Sequence, residues 1–225
     1  MRSSGPVWPP DHLADDRSTA ARIRDAAITR IAATGVRGTT IRDIAEAAEV
    51  SPALVMHHFG SKHALMAACD HHVASLIRAQ KLEAMQTGGS LDPVAALRTS
   101  AGGPPLVAYL ARTLIDGTPA VADLIDELLQ DAVDYLAAGE ASGVVRPTEQ
   151  PRERAAVLLL WSLGALVLHE HAARVLDVDL LGEPTQLLGY LRPAFEILGQ
   201  GVLTPETYAG IATTMEPVTD GPQEE

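Results

Sequence analysis

Apolar positions recur every three or four residues along most of this 225-residue chain, and strict alternation is scarce. That periodicity predicts helices almost throughout and an all-α fold. Ser18 is placed to cap a first helix reaching about Thr34, with Ile23, Ala26, Ala27 and Ile31 on one face and Gly35 closing it in the left-handed conformation. Thr39 or Thr40 caps a short second helix, Ile41–Ala48. Ser51 as N-cap and Pro52 at the first helical position open a third. Gly60-Ser61-Lys62 breaks it and starts a fourth, Ser61 to Met85. Loops at Thr87–Ser90 and Ser100–Pro105 then separate helical stretches near Asp92–Arg98, Leu106–Asp116 and Pro119–Ala138. After a turn around Gly139–Pro147 come Arg152–Leu176, the longest and most apolar, then Pro184–Leu198, kinked by Pro193, and a final Pro205–Met215.

The pattern divides the chain into four parts. Residues 1–16, polar and holding three prolines, are expected as a disordered arm, and 217–225 as a disordered tail. Residues 17–65 make a compact three-helix unit, and 66–216 a larger helical domain. Within the first unit, two short helices joined by a three- to four-residue turn have the spacing of a helix-turn-helix. Ile44, Ala45, Val50, Leu54 and Val55 supply its small core, and the third helix is left to present its outer residues to a DNA major groove.

The residues of this stretch resemble the TetR family of regulators. The resemblance covers about residues 20–67 and rests on three strings in order: Gly35 followed by Thr39-Thr40-Ile41 and Ile44-Ala45, then Val50-Ser51-Pro52, then His57-His58-Phe59-Gly60-Ser61-Lys62 with Leu65. It implies a homodimeric, ligand-responsive transcriptional regulator, a repressor of a palindromic double-stranded DNA operator released by a small, largely apolar effector. Position by position it implies Thr40 as a phosphate contact and Ser51, Pro52, Ala53, Met56 and His57 at the groove-facing side of the third helix. Lys62 corresponds to the family's backbone-clamping lysine, and Phe59 reads as a core plug. Two residues depart from the pattern. Glu49 stands where the family carries Gly and has to bear a left-handed backbone. Met56 replaces a Tyr and cannot donate its hydrogen bond to phosphate.

Net charge, −12, argues against nucleic acid only until it is counted by segment. Residues 1–65 carry eight basic and seven acidic side chains, a net of +1, so the acidity belongs to the rest. The N-terminal unit is therefore the only plausible phosphate-facing surface. One cysteine, Cys69, forms no intramolecular disulfide and reads as a small buried hydrophobe in a cytoplasmic protein. Residues 1–17 lack the apolar core of a signal peptide, and Ala155–Leu168 is too short to span a membrane.

No other chemistry emerges with comparable specificity. Adjacent His71-His72 diverge on a helix, and His169 and His171 lie two apart, so neither pair converges on a metal; no cofactor is expected. Asp123, Asp126, Glu127, Asp131 and Asp134 form an acidic stripe that reads as a solvated face, with no nucleophile motif and hence no catalytic residue. Tyr109, Tyr135 and Trp161 are candidate lining residues of an effector pocket between Leu106 and Leu168. The Arg152–Leu176 helix is apolar around much of its circumference, which predicts core on one side and a dimer interface on the other, through Leu160, Leu168, Ala172, Leu188 and Phe195. The competing classes are an interaction protein with a vestigial helix-turn-helix, favoured by Glu49 and Met56, and an enzyme using the acidic stripe.

Overall fold

The computed structural model describes residues 11–86, 103–117, 120–182 and 184–215, and among them there is helix and no strand. The helix expected near Asp92–Arg98, residues 1–10 of the arm and the 217–225 tail lie outside the described residues. The elements are α1 (Asp11–Gly38), α2 (Ile41–Ala47), α3 (Pro52–Phe59), α4 (Lys62–Gln86), α5 (Gly103–Asp116) and α6 (Ala120–Ala141). They continue with α7 (Pro151–Val167), α8 (His169–Leu176), a 3₁₀ turn (Pro184–Leu187), α9 (Leu188–Gln200) and α10 (Pro205–Met215).

Helix α1 begins at Asp11, ahead of the expected cap at Ser18, so it overlaps the stretch read as an arm. At Gly35 its backbone leaves the helix with φ 75 and ψ 168. The positive φ is the one expected, but ψ is extended rather than left-handed helical, a combination open almost only to glycine. Ile23, Ala27 and Ile31 are fully buried, with Ile44, Ala45, Val55, Leu65, Cys69 and Val73, in one cluster that spans α1 to α4. Tyr109 from α5 completes that cluster, and Phe59 packs against it as the plug its sequence position suggested.

Helices α4 and α6 lie side by side and run in the same direction. Contacts advance together along both: His71 meets Glu127, Arg78 meets Asp131 and Asp134, and Ser142 donates to the Met85 carbonyl. The close approach depends on Gly139, where an added Cβ would sit 2.8 Å from the Met85 sulfur and 2.6 Å from Val145. The acidic stripe of α6 is therefore not simply a solvated face. Asp123, Asp126 and Asp134 are exposed, but Asp131 is buried against Arg78 and Glu127 is half-buried against His71. The counter-charges sit on α4, more than fifty residues away, out of reach of any pattern within α6 alone.

The long helix expected over Arg152–Leu176 is two helices, α7 and α8, bent by 79°. Leu168, with φ −95 and ψ 19, is the break. Apolar spacing continues across a one-residue interruption, so periodicity cannot reveal it. No single described helix is long and apolar enough to cross a membrane. Helix α7 buries Ala155 and Leu163, while α8 and α9 bury no residue completely. Ala155 of α7 joins Ala132 and Leu136 of α6 in a cluster that takes in Tyr135.

Candidate nucleic-acid interface

Local hydrogen bonds explain each joint of the helix-turn-helix. Thr40 caps α2 in a reciprocal box: its hydroxyl oxygen accepts from the Asp43 N–H at 3.2 Å, and the Asp43 carboxylate accepts from the Thr40 N–H at 2.8 Å. Those bonds hold the Asp43 carboxyl below its ordinary range, the Thr40 backbone N–H contributing most. At the other end of α2, Glu49 N–H donates to the Glu46 carbonyl and Val50 N–H to the Ala45 carbonyl. This is a Schellman closure with Glu49 at φ 55, the strained left-handed position anticipated for it. Arg22 of α1 reaches across to the Ala48 carbonyl at 2.8 Å and holds that turn against the first helix.

Ser51 then starts α3, its hydroxyl oxygen accepting from the Leu54 N–H at 3.1 Å, with Pro52 at the first position where no N–H is required. Gly60, at φ 71, ends it. The helix is about 12 Å long, the width of a B-DNA major groove. Val55 points into the core, and Ser51, Pro52, Ala53, Met56 and His57 are all exposed. The five groove-facing candidates thus share one outer face, and Met56 is 43% exposed.

Thr40 and Lys62 are placed differently from a simple phosphate clamp. The Thr40 hydroxyl and N–H both face Asp43. The Lys62 ammonium turns inward and donates to the Val36 carbonyl at 2.7 Å and the Thr39 carbonyl at 2.5 Å. Lys62 is neither a free surface lysine nor an extended phosphate arm; it ties the start of α4 to the α1–α2 loop, the stretch from the break at Gly35 to Thr40. Sequence reasoning passed over Arg42, which is exposed on the first turn of α2, and Arg37, exposed at the end of α1. A search for cations beside the motif, rather than at family positions, finds both.

The C-terminal candidates separate. Tyr109 is fully buried, its hydroxyl donating to Asp70 at 2.7 Å. Tyr135 belongs to the α6–α7 cluster, and Trp161 is 36% exposed on the outer side of α7. These three side chains do not converge on one pocket. A cavity of about 230 Å³ lies instead between α1, α4 and α5, lined by Asp25, Ile28, Thr29, His72, Leu76 and Leu106 with Pro105. His72 thus faces α1 while His71 faces α6. Cys69 is buried and its thiol is pushed up to about 12, chiefly by burial and then by neighbouring Asp70.

Four of the five dimer-interface candidates are exposed apolar side chains within residues 151–200. Leu160 and Leu168 are 62% and 55% exposed, Phe195 50% and Leu188 38%, with Ala172 half-buried between them in sequence. Val157, Val167, Val175 and Leu198 extend the exposed apolar surface.

Comparison with known proteins agrees with this architecture. Residues 23–69 match the family described as bacterial regulatory proteins, tetR family, and residues 104–204 match a tetracyclin repressor-like C-terminal domain. The chain is 35% identical over 196 residues to the HTH-type transcriptional regulatory protein RaaS of Mycobacterium tuberculosis, covering 84% of this chain and 88% of that protein. It is 40% identical over 53 residues to the regulator BetI of Paraburkholderia xenovorans, covering 24% and 27%. Among solved structures, a TetR-family regulator from Rhodococcus sp. shares the fold with a TM-score of 0.53 and 22% identity, over 79% of this chain and 98% of that one. Salmonella enterica GusR does so with a TM-score of 0.51 and 22% identity, over 78% and 96%. With a DNA-binding N-terminal domain and a ligand-binding C-terminal domain rather than a catalytic centre, the chain belongs to the TetR family of transcriptional regulators.

Proposed function

We propose that the protein is a homodimeric repressor that binds a palindromic operator and leaves it when a small, largely apolar effector binds the C-terminal domain. The observation that carries this reading is the outer face of α3, where Pro52, Ala53, Met56 and His57 stand exposed on a helix fixed at both ends. Thr40 and Arg42, exposed at the start of α2, serve as phosphate contacts, Thr40 by exchanging its Asp43 partner for phosphate. Lys62 contributes to affinity through the loop it holds. The exposed apolar residues of α7, α8 and α9 meet their counterparts in a second copy, so that two α3 helices face successive major grooves about 34–36 Å apart. Like the operator it reads, the protein is cytoplasmic.

Differential affinity of the effector for the two domain arrangements supplies the release. The cleft between α1, α4 and α5 touches both domains.

The test is a titration of the full chain against DNA from its own upstream region and against shuffled DNA, at several salt concentrations. Specific binding that weakens steeply with salt is expected. Ala53→Asp is expected to remove the preference for upstream DNA while leaving the chain folded by circular dichroism. Equal binding to both DNAs at low salt overturns the operator reading and favours an interaction protein that retains the helix-turn-helix as structure. Normal binding by Ala53→Asp overturns the placement of α3.

A further inference from the structure

We propose that Asp116, the last residue of α5, is a positioning residue for DNA binding: its carboxylate holds the α1–α2 loop in the conformation that presents α2 and α3. The proposal rests on the operator reading above. Asp116 Oδ2 accepts from the Val36 backbone N–H at 2.7 Å, a bond between residues eighty apart in sequence that joins the C-terminal domain to the DNA-binding unit. Val36 itself is buried.

Three features show that the loop is built around this carboxylate. Gly35, immediately before the bonded N–H, has φ 75, and a Cβ there would lie 3.0 Å from Asp116 Oδ2. The space that a side chain would fill is the space the carboxylate occupies. The same Val36 peptide segment is gripped on its other side, where its carbonyl accepts from Lys62 at the start of α4. Lys62 also holds the Thr39 carbonyl, and the buried Thr39 hydroxyl donates back to the Gly35 carbonyl at 2.8 Å. The next residue is Thr40, the cap of α2.

A continuous set of bonds therefore runs from the end of α5 through Val36, Lys62 and Thr39 to the helix that carries Thr40 and Arg42. Backbone N–H groups bound by a carboxylate form stronger hydrogen bonds than those between neutral partners. Helix α5 packs along α1 and flanks the cavity with Pro105 and Leu106 at its other end. Eleven residue steps of α-helix lead from Pro105 to Asp116, a lever of about 16 Å. A displacement of α5 at the cavity end is felt at Asp116, and through it at the loop.

The experiment compares the full-length wild type with Asp116→Asn and Asp116→Ala. Amide hydrogen exchange at Val36 is recorded together with affinity for upstream and shuffled DNA at one salt concentration. Asp116→Ala is expected to speed Val36 exchange and to weaken upstream-DNA binding by about tenfold, the size of one hydrogen bond to a charged acceptor. Shuffled-DNA affinity falls by less than upstream-DNA affinity, and exchange within α6 stays unchanged. Asp116→Asn keeps an oxygen acceptor and is expected to fall between the two. Unaltered Val36 exchange in Asp116→Ala overturns the latch. Faster exchange with unaltered preference for upstream DNA overturns its role in DNA binding, even where the melting temperature falls, because the contact is then structural only. A wild type without preference for upstream DNA sinks the operator reading, and the role of Asp116 in it, whereas the exchange arm alone still decides whether the bond exists in solution.

Discussion

The helix-turn-helix unit and the α7–α9 surface are built from similar apolar residues, yet they end in opposite states. In the first, Ile23, Ile31, Ile44, Val55 and Leu65 are sealed in one cluster, and every joint is closed by a cap, a positive-φ residue or a long side chain reaching over. In the second, Leu160, Leu168, Phe195 and Val175 remain at least half exposed. Exposed apolar side chains in this number fit the proposed dimer interface. One region seals its core within this chain, with Tyr109 of the C-terminal domain included, and keeps an exposed face of Pro52, Ala53, Met56 and His57; the other leaves large apolar residues at the surface, where the proposed second copy would cover them.

The largest expected effect comes from breaking the second region. Leu160→Glu combined with Phe195→Glu places four carboxylates in the two-fold interface. Sedimentation is expected to show a monomer, and operator affinity to fall by at least about a hundredfold as the two half-sites lose their linkage. An unchanged dimer would put the interface elsewhere. The mirror experiment lies in the first region. Leu65→Ala opens the sealed cluster and is expected to cost about 2–5 kcal/mol in urea unfolding, with the dimer intact below the transition.

Those two regions were also unequally legible. The caps Thr40 and Ser51, the proline at the start of α3 and the strained Glu49 are local devices, written within a few residues, and the sequence announces each. Ile44, Ala45 and Val55 follow from spacing in the same way. What escaped depends on partners distant in sequence. Lys62 turns into the loop because two carbonyls from α1 and the following turn await it. Asp131 is buried because Arg78 lies across from it. Tyr109, read as a pocket residue, is buried in the core, where its hydroxyl donates a hydrogen bond to Asp70. The break at Leu168 escaped for another reason: an apolar run shows which residues prefer contact, not where the axis bends.

Smaller effects sharpen the contrast inside the closed region. Glu49→Gly relieves a left-handed non-glycine residue and is expected to stabilise the unit by about 1 kcal/mol in denaturant titration. It also removes a negative charge from the turn before α3, so non-specific DNA affinity rises. No gain in stability would mean that Glu49 carries its φ of 55 without strain.

Asp70 offers the smallest and most specific effect. Burial raises its carboxyl above the ordinary range, against the opposing hydrogen bond from Tyr109. A raised acid value means that the folded chain holds its proton longer than the unfolded one. This contribution to stability therefore falls as pH rises from the unfolded value near ~3.9 through the folded one, and it stays lowered at neutral pH. Asp70→Asn keeps an oxygen to accept from Tyr109 and removes the buried charge. Its unfolding free energy at neutral pH is expected to rise by up to about 1 kcal/mol, with a flatter dependence across the mildly acidic range. A loss of stability in Asp70→Asn would show that the ionised form is the one the core prefers.

The most direct test of the two-region account is the mass of the full chain, free and on its upstream DNA, by analytical ultracentrifugation. The account predicts two copies in solution at micromolar concentration and two copies on one palindromic site. A single copy in both measurements would contradict it.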